Sequence, residues 1–160
     1  MSDSAQPFSD EHAIKCELAG ETLRSSGTLR LQVTGWSMLP AVWPGDVLVI
    51  DRAECKDVAK GDIVLFGRDR RLFAHRVLSA GPEDSGVLTR GDSMPAPDPI
   101  VREDELLGKV SFIVRNGKYI APGQPGRSQR AIAALARSSN VAARLVVGMH
   151  GMRQIPQSQT

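Results

Sequence analysis

One serine, one histidine and a pair of aspartates are the residues of this 160-residue chain whose types and order suit acyl-transfer chemistry. A serine hydroxyl is a poor nucleophile until a base takes its proton, and that base must itself be oriented by a third group. Ser37 lies in TGWSMLPAVWPGD, residues 34–46, where Gly35 permits sharp backbone geometry and Pro40 stiffens the exit. His75 lies in LFAHRVL, inside a strand-like run, and shares one face of that strand with Phe73 and Val77. Asp92 and Asp98 lie in LTRGDSMPAPDPI. At least one of them could accept the Nδ1 proton of His75 and fix its tautomer, and nothing local chooses between them. Each residue also has a bland reading. Serines in rigid loops are mostly turn residues, histidines among apolar neighbours are mostly structural, and Gly-Asp and Asp-Pro both favour turns.

The elements that must position these residues are short. Strand-like runs stand at LRLQV (29–33), DVLVI (46–50), DIVLF (62–66), RLFAHRVL (71–78), GVLTR (86–90) and LLGKVSFIV (106–114), separated by turn-rich Gly, Pro and Asp segments. Many β-runs without alternating helices predict a mainly β, antiparallel, barrel-like or sandwich domain. They exclude the α/β-hydrolase context, and the serine loop is not the Gly-x-Ser-x-Gly elbow of that fold. PGD, KGD and RGD recur beside the runs at unequal spacings of 16 and 30, so they are turns and not a repeat. Before the first run, residues 9–26 predict a helix with Ser9 as its cap, Ile14 and Leu18 on one face, and Gly27 closing it. Gly20 weakens its second half.

Residues 121–129, APGQPGRSQ, have the composition of a linker. Beyond it, 129–147 predicts an amphipathic C-terminal helix with Arg130, Arg137 and Arg144 on one stripe and Ile132, Leu135, Ala143, Val146 and Val147 opposite. The expected organisation is therefore an N-terminal helical segment at 1–28, a β domain at 29–120, and a linker with a basic helix and tail at 121–160.

Charge follows the same division. Residues 1–105 hold all 18 acids against 12 Lys/Arg, whereas residues 106–160 hold eight Lys/Arg and no acid. Such a tail suits weak contact with an anionic membrane surface through Arg130, Arg137 and Arg144, or simple docking on its own domain. Nucleic acid is the poorer partner, because the tail's only aromatics are Phe112 and Tyr119. Cys16 and Cys55 are too few for a disulfide framework, and His12, His75 and His150 are too scattered to complete a metal site, so neither metal nor cofactor is expected. No apolar signal region opens the chain and no 18-residue apolar run crosses it, so a soluble, cytoplasmic protein is expected.

Taken in order, GWSMLP, VWPGDVLVI, GDIVLF, AHRV, LTRGDSMPAPD and LLGKV resemble the type I signal peptidases, in their Ser-His-Asp branch, over about residues 29–115. The resemblance implies a small coiled β-barrel-like fold shared with the LexA-type self-cleaving repressors. It implies that Ser37 is the nucleophile, with its backbone N–H in the oxyanion hole. His75 is the implied general base, standing before Arg-Val where the larger bacterial branch has a lysine. Asp98, six residues beyond the Gly-Asp turn, is the implied third member, and Asp92 a supporting residue. The implied substrate is a leader or signal-like peptide. Many of those enzymes carry Ser-Gly-Ser, whose first serine adds a hydroxyl to the oxyanion hole; this chain has Gly35-Trp36-Ser37. They are also membrane-anchored, and no anchor is legible here. Two other functions fit the same residues: a non-catalytic peptide-binding β module, and a self-cleaving regulator of the LexA type. The latter uses a serine–lysine dyad, and no helix-turn-helix is legible before residue 30.

Overall fold

The chain begins with helix α1, Gln6–Ser26, in a computed structural model that describes residues 6–82 and 85–123, and only the backbone of residues 6–10. The helix already runs at Gln6, so Ser9 lies inside it and is not its cap. It ends where expected: Gly27 adopts φ +77° and its N–H donates to the Leu23 carbonyl at 3.1 Å. The face shared by Ile14 and Leu18 is the exposed one, at 55% and 60%. Ala19 and Leu23 are buried instead, and the helix continues unbroken through Gly20. Gly20 is itself buried, with Leu107 of the sheet 3.8 Å from where a Cβ would stand, so its small size lets the helix approach the sheet closely.

Seven strands follow: β1 (Thr28–Gln32), β2 (Val47–Arg52), β3 (Ile63–Arg68), β4 (Arg71–Ala80), β5 (Val87–Arg90), β6 (Leu106–Arg115) and β7 (Lys118–Ile120). The first six lie on the runs predicted from sequence. They form one antiparallel sheet in the order β1-β2-β6-β3-β4-β5, with β7 paired to β6. The mainly β fold with an N-terminal helix is thus as expected, but β1 and β5 remain edges and the sheet does not close into a barrel. β7 was not foreseen. It is made by a two-residue turn in which Asn116 and Gly117 adopt φ +50° and +75°, the positive values a tight hairpin needs. The C-terminal helix expected at 129–147, with Arg130, Arg137 and Arg144, lies outside the described residues.

β3 explains how one sheet carries two cores. Its residues Ile63, Val64, Leu65 and Phe66 are all buried, so it is covered on both faces. Ile63 and Leu65 join Leu23, Met38, Val42, Leu48, Ile50, Val110 and Ile113 in one cluster. Val64 and Phe66 join Val58, Val77, Val87, Val101 and Leu106 in the other. Leu23 ties the helix into the first cluster, and removing its side chain should cost about 2–5 kcal/mol. Met38 and Val42 belong to the same cluster, so the loop bearing Ser37 is rooted in the core. Cys16 and Cys55 are free thiols.

Candidate active site

The Ser37 loop is closed at its base by two backbone bonds, Val33 N–H to the Asp46 carbonyl and Gly45 N–H to the Val33 carbonyl, both 2.8 Å. Inside it, Leu39 N–H reaches the Trp36 carbonyl at 3.1 Å and Val42 N–H the Met38 carbonyl at 3.0 Å. Asp46 fixes the far side. Its carboxylate accepts the Trp43 N–H at 2.8 Å and a two-pronged bond from Arg115 at 2.9 and 2.7 Å. Arg115 also donates to the Ala41 carbonyl at 3.1 Å. Packed apolar side chains below and a charge-assisted clamp beside it leave Ser37 on a rigid loop.

A second turn presses on that loop. After β5, Gly91 is buried against Ser37, and Ser93 makes two bonds to the loop backbone. The Ser93 N–H donates to the Ser37 carbonyl and its hydroxyl to the Trp36 carbonyl, each at 3.0 Å. Ser93, 1% exposed, escaped the sequence reading, although it stands two residues after Gly91 in the motif already singled out.

His75 sits on β4, 4% exposed, with the rings of Phe66 and Phe73 each 5.9 Å away between centroids. Its Nε2 lies 3.0 Å from Ser37 Oγ, and its Nδ1 lies 2.7 Å from Asp98 Oδ2. Burial pushes the Asp98 carboxyl up, but hydrogen bonds from His75 and Thr89 and the charges of His75 and Arg68 outweigh it, leaving it below its ordinary value. An ionised Asp98 accepts the Nδ1 proton, which leaves Nε2 free to accept from the Ser37 hydroxyl. The structure therefore brings Ser37, His75 and Asp98 into one hydrogen-bonded line.

Asp92 is not in that line. It pairs with Arg76 through two bonds of 2.8 Å, both side chains less than a tenth exposed. Arg76 follows His75 and points to the opposite face of β4, where it also donates to the Gly61 carbonyl at 2.8 Å and the Gly123 carbonyl at 3.3 Å. The two aspartates thus anchor the two faces of one strand.

Further supports come from Thr89 and Arg68, neither of them foreseen. Thr89 is fully buried and donates to Asp98 Oδ2 at 2.7 Å. Arg68 donates to the Pro99 and Ile100 carbonyls at 3.1 and 2.8 Å, while forming a two-pronged pair with Glu105 at 2.7 Å each. It therefore staples the chain just after Asp98. Thr89 stands nine residues before Asp98 in the same motif, whereas Arg68 reaches Pro99 from 31 residues away, which residue spacing does not carry. The Gly35 position is open, with nothing within 4 Å of a Cβ. Among the described residues, no group of three His, Cys, Asp or Glu side chains could hold a metal ion, and no helix is long and apolar enough to cross a membrane.

A family model described as Peptidase S24-like matches residues 4–110, well over half of the chain, and takes in Ser37, His75 and Asp98. No curated protein matches the chain. The family match supports a serine peptidase-type fold of the kind shared by LexA-type proteins and signal peptidases, without selecting either branch.

Proposed function

We propose that this chain, which belongs to the Peptidase S24-like family, is a serine endopeptidase working through Ser37, His75 and Asp98 in the manner of the signal peptidases. The observation that carries the reading is the pair of contacts made by one buried imidazole, 3.0 Å to Ser37 Oγ and 2.7 Å to Asp98 Oδ2. A structural histidine needs partners, but it does not need a serine on a loop braced by a second turn.

In the proposed reaction His75 Nε2 takes the Ser37 proton as Oγ attacks a peptide carbonyl. The tetrahedral oxyanion is met by the Ser37 backbone N–H. Asp98 stabilises the imidazolium, which gives its proton to the leaving amine. Water activated by the same histidine then releases the acyl group. One oxyanion donor is worth about 2.7–4 kcal/mol in this chemistry, so the missing hydroxyl at Gly35 bears on rate more than on mechanism.

The proposed substrate is a leader or signal-like segment with small residues before the scissile bond, met at the cytoplasmic side. Arg130, Arg137 and Arg144 would supply any loose contact with an anionic membrane. A peptide-binding module without turnover is the second reading, favoured by the absence of a side chain at Gly35. The test is to digest a peptide library with wild type and Ser37→Ala and read the products by mass spectrometry. Cleavage after small residues that vanishes in Ser37→Ala supports the peptidase. A library left intact by wild type moves the reading to the binding module.

A further inference from the structure

Thr89 and His75 converge on one atom. Both donate to Asp98 Oδ2, each at 2.7 Å. The backbone returns the contact, with Asp98 N–H donating to the Thr89 carbonyl at 2.8 Å. Register explains the meeting. Thr89 on β5 pairs with Val77 on β4, and Val77 lies two residues from His75, so Thr89 faces the His75 side of the sheet. Valine would fill such a fully buried strand position equally well, without a hydroxyl to satisfy.

We propose that Thr89 is a positioning residue for acyl transfer, holding the Asp98 carboxylate in the rotation that presents Oδ2 to His75 Nδ1. The inference rests on the serine-peptidase reading above. A carboxylate turns easily about its last bond, and a ring that follows it carries Nε2 away from Ser37. Misplacement on the ångström scale is expensive in such reactions. Two donors on one oxygen prevent the turn. The hydroxyl also takes a share of the carboxylate's charge, which would otherwise bear wholly on the imidazolium.

Arg68 on β3 acts on Asp98 and is itself flanked by Glu105 and Asp69. Arg76 and Asp92 pair on the opposite face of β4. Around the ring stand Phe66, Phe73 and Ser37. Asp98 Oδ2 takes its hydrogen bonds from His75 and Thr89.

The experiment follows phosphonylation of Ser37 by a fluorophosphonate probe, in which Oγ displaces fluoride from phosphorus, read by intact mass, for wild type, Thr89→Val and Thr89→Ser between about pH 5 and about pH 9. Thr89→Val should label about tenfold more slowly at saturating probe, as expected for loss of one charge-assisted hydrogen bond, with the half-saturating probe concentration unchanged. Its acid limb should move to higher pH, because the carboxylate then acts on the imidazolium undiluted. Thr89→Ser should restore both rate and limb. Thermal melts check folding, and Thr89→Ala, which leaves space and adds no clash, stands in if Thr89→Val does not fold. Wild type that labels at Ser37 alongside a Thr89→Val protein of equal rate and equal pH profile would overturn the inference alone. Wild type that does not label would overturn the peptidase reading and this inference with it.

Discussion

Gly91 lies so close to Ser37 that a Cβ built on it would stand 2.6 Å from the Ser37 carbonyl oxygen and 3.1 Å from the Ser37 Cβ. The contact couples the turn after β5 directly to the proposed nucleophile. Gly91→Ala must push the two loops apart, and the Ser93 bonds to Trp36 and Ser37 would stretch with them. The expected outcome is a loss of about a hundredfold in the rate of Ser37 acylation, because the nucleophile moves relative to His75. Far-ultraviolet circular dichroism should remain that of the folded wild type. Full reactivity in Gly91→Ala would mean that the nucleophile loop is not held from this side.

The two aspartates should separate cleanly. Asp92 belongs to a buried two-pronged pair with Arg76, so Asp92→Asn or Arg76→Ala breaks a buried ion pair and should cost about 3–5 kcal/mol of unfolding free energy. Asp98→Asn should instead cost activity far out of proportion to stability, since the amide presents the wrong donor to His75. Urea melts and acylation rates measured on the same preparations check this, and equal activity losses for the two aspartates would refute the assignment.

The Asp98 carboxyl, held below its ordinary value in the fold, makes a directional contribution to stability. Because the folded value is the lower one, the stabilisation is complete above the unfolded value of about 3.9 and is lost as pH falls through the folded value. The melting-temperature advantage of wild type over Asp98→Asn should therefore be flat near neutrality and shrink as the solution is taken from about pH 5 to about pH 2. An advantage that grew in acid would show that the carboxyl is not held in this way.

Gly35 faces open space and does not adopt the positive φ that only glycine tolerates well. Gly35→Ser should leave the melting temperature unchanged. If the added hydroxyl joins the Ser37 N–H at the oxyanion, acylation should quicken by about tenfold, a fraction of the effect reported by removing such donors elsewhere. A folded Gly35→Ser protein with unchanged rate would place the oxyanion away from that hydroxyl.

Much of the fold was legible because its strands are short apolar runs bounded by Gly-Asp turns, and that signal is local. The DIVLF run reads only as a strand; that it is covered on both faces appears in the structure, where all four of its apolar residues are buried. What was lost depended on surroundings. Ile14 and Leu18 look like a buried helix face, yet the sheet receives Ala19 and Leu23, where small residues allow close approach. Asn116-Gly117 carried an explicit hairpin signal, and β7 could have been found from it. Closure of the sheet could not be judged from the runs themselves, because edges are a property of pairing. In the site, Ser37, His75 and Asp98 stood out through motif order and resemblance, whereas Arg68 and Arg115 are ordinary residues until strands far apart in sequence set them beside a carbonyl or a carboxylate, and Thr89, nine residues before Asp98, reads as a plain strand threonine until the turn folds back on it.

The central claim is that Ser37 is activated by His75, and phosphonylation by a fluorophosphonate probe tests it without knowledge of the substrate. Wild type, Ser37→Ala and His75→Ala would be treated side by side, with intact mass and peptide mapping as the readout. The account predicts one probe per chain, located on Ser37, and none on either variant. A folded wild-type protein that takes up no probe, or one whose labelling survives the loss of His75, would contradict it.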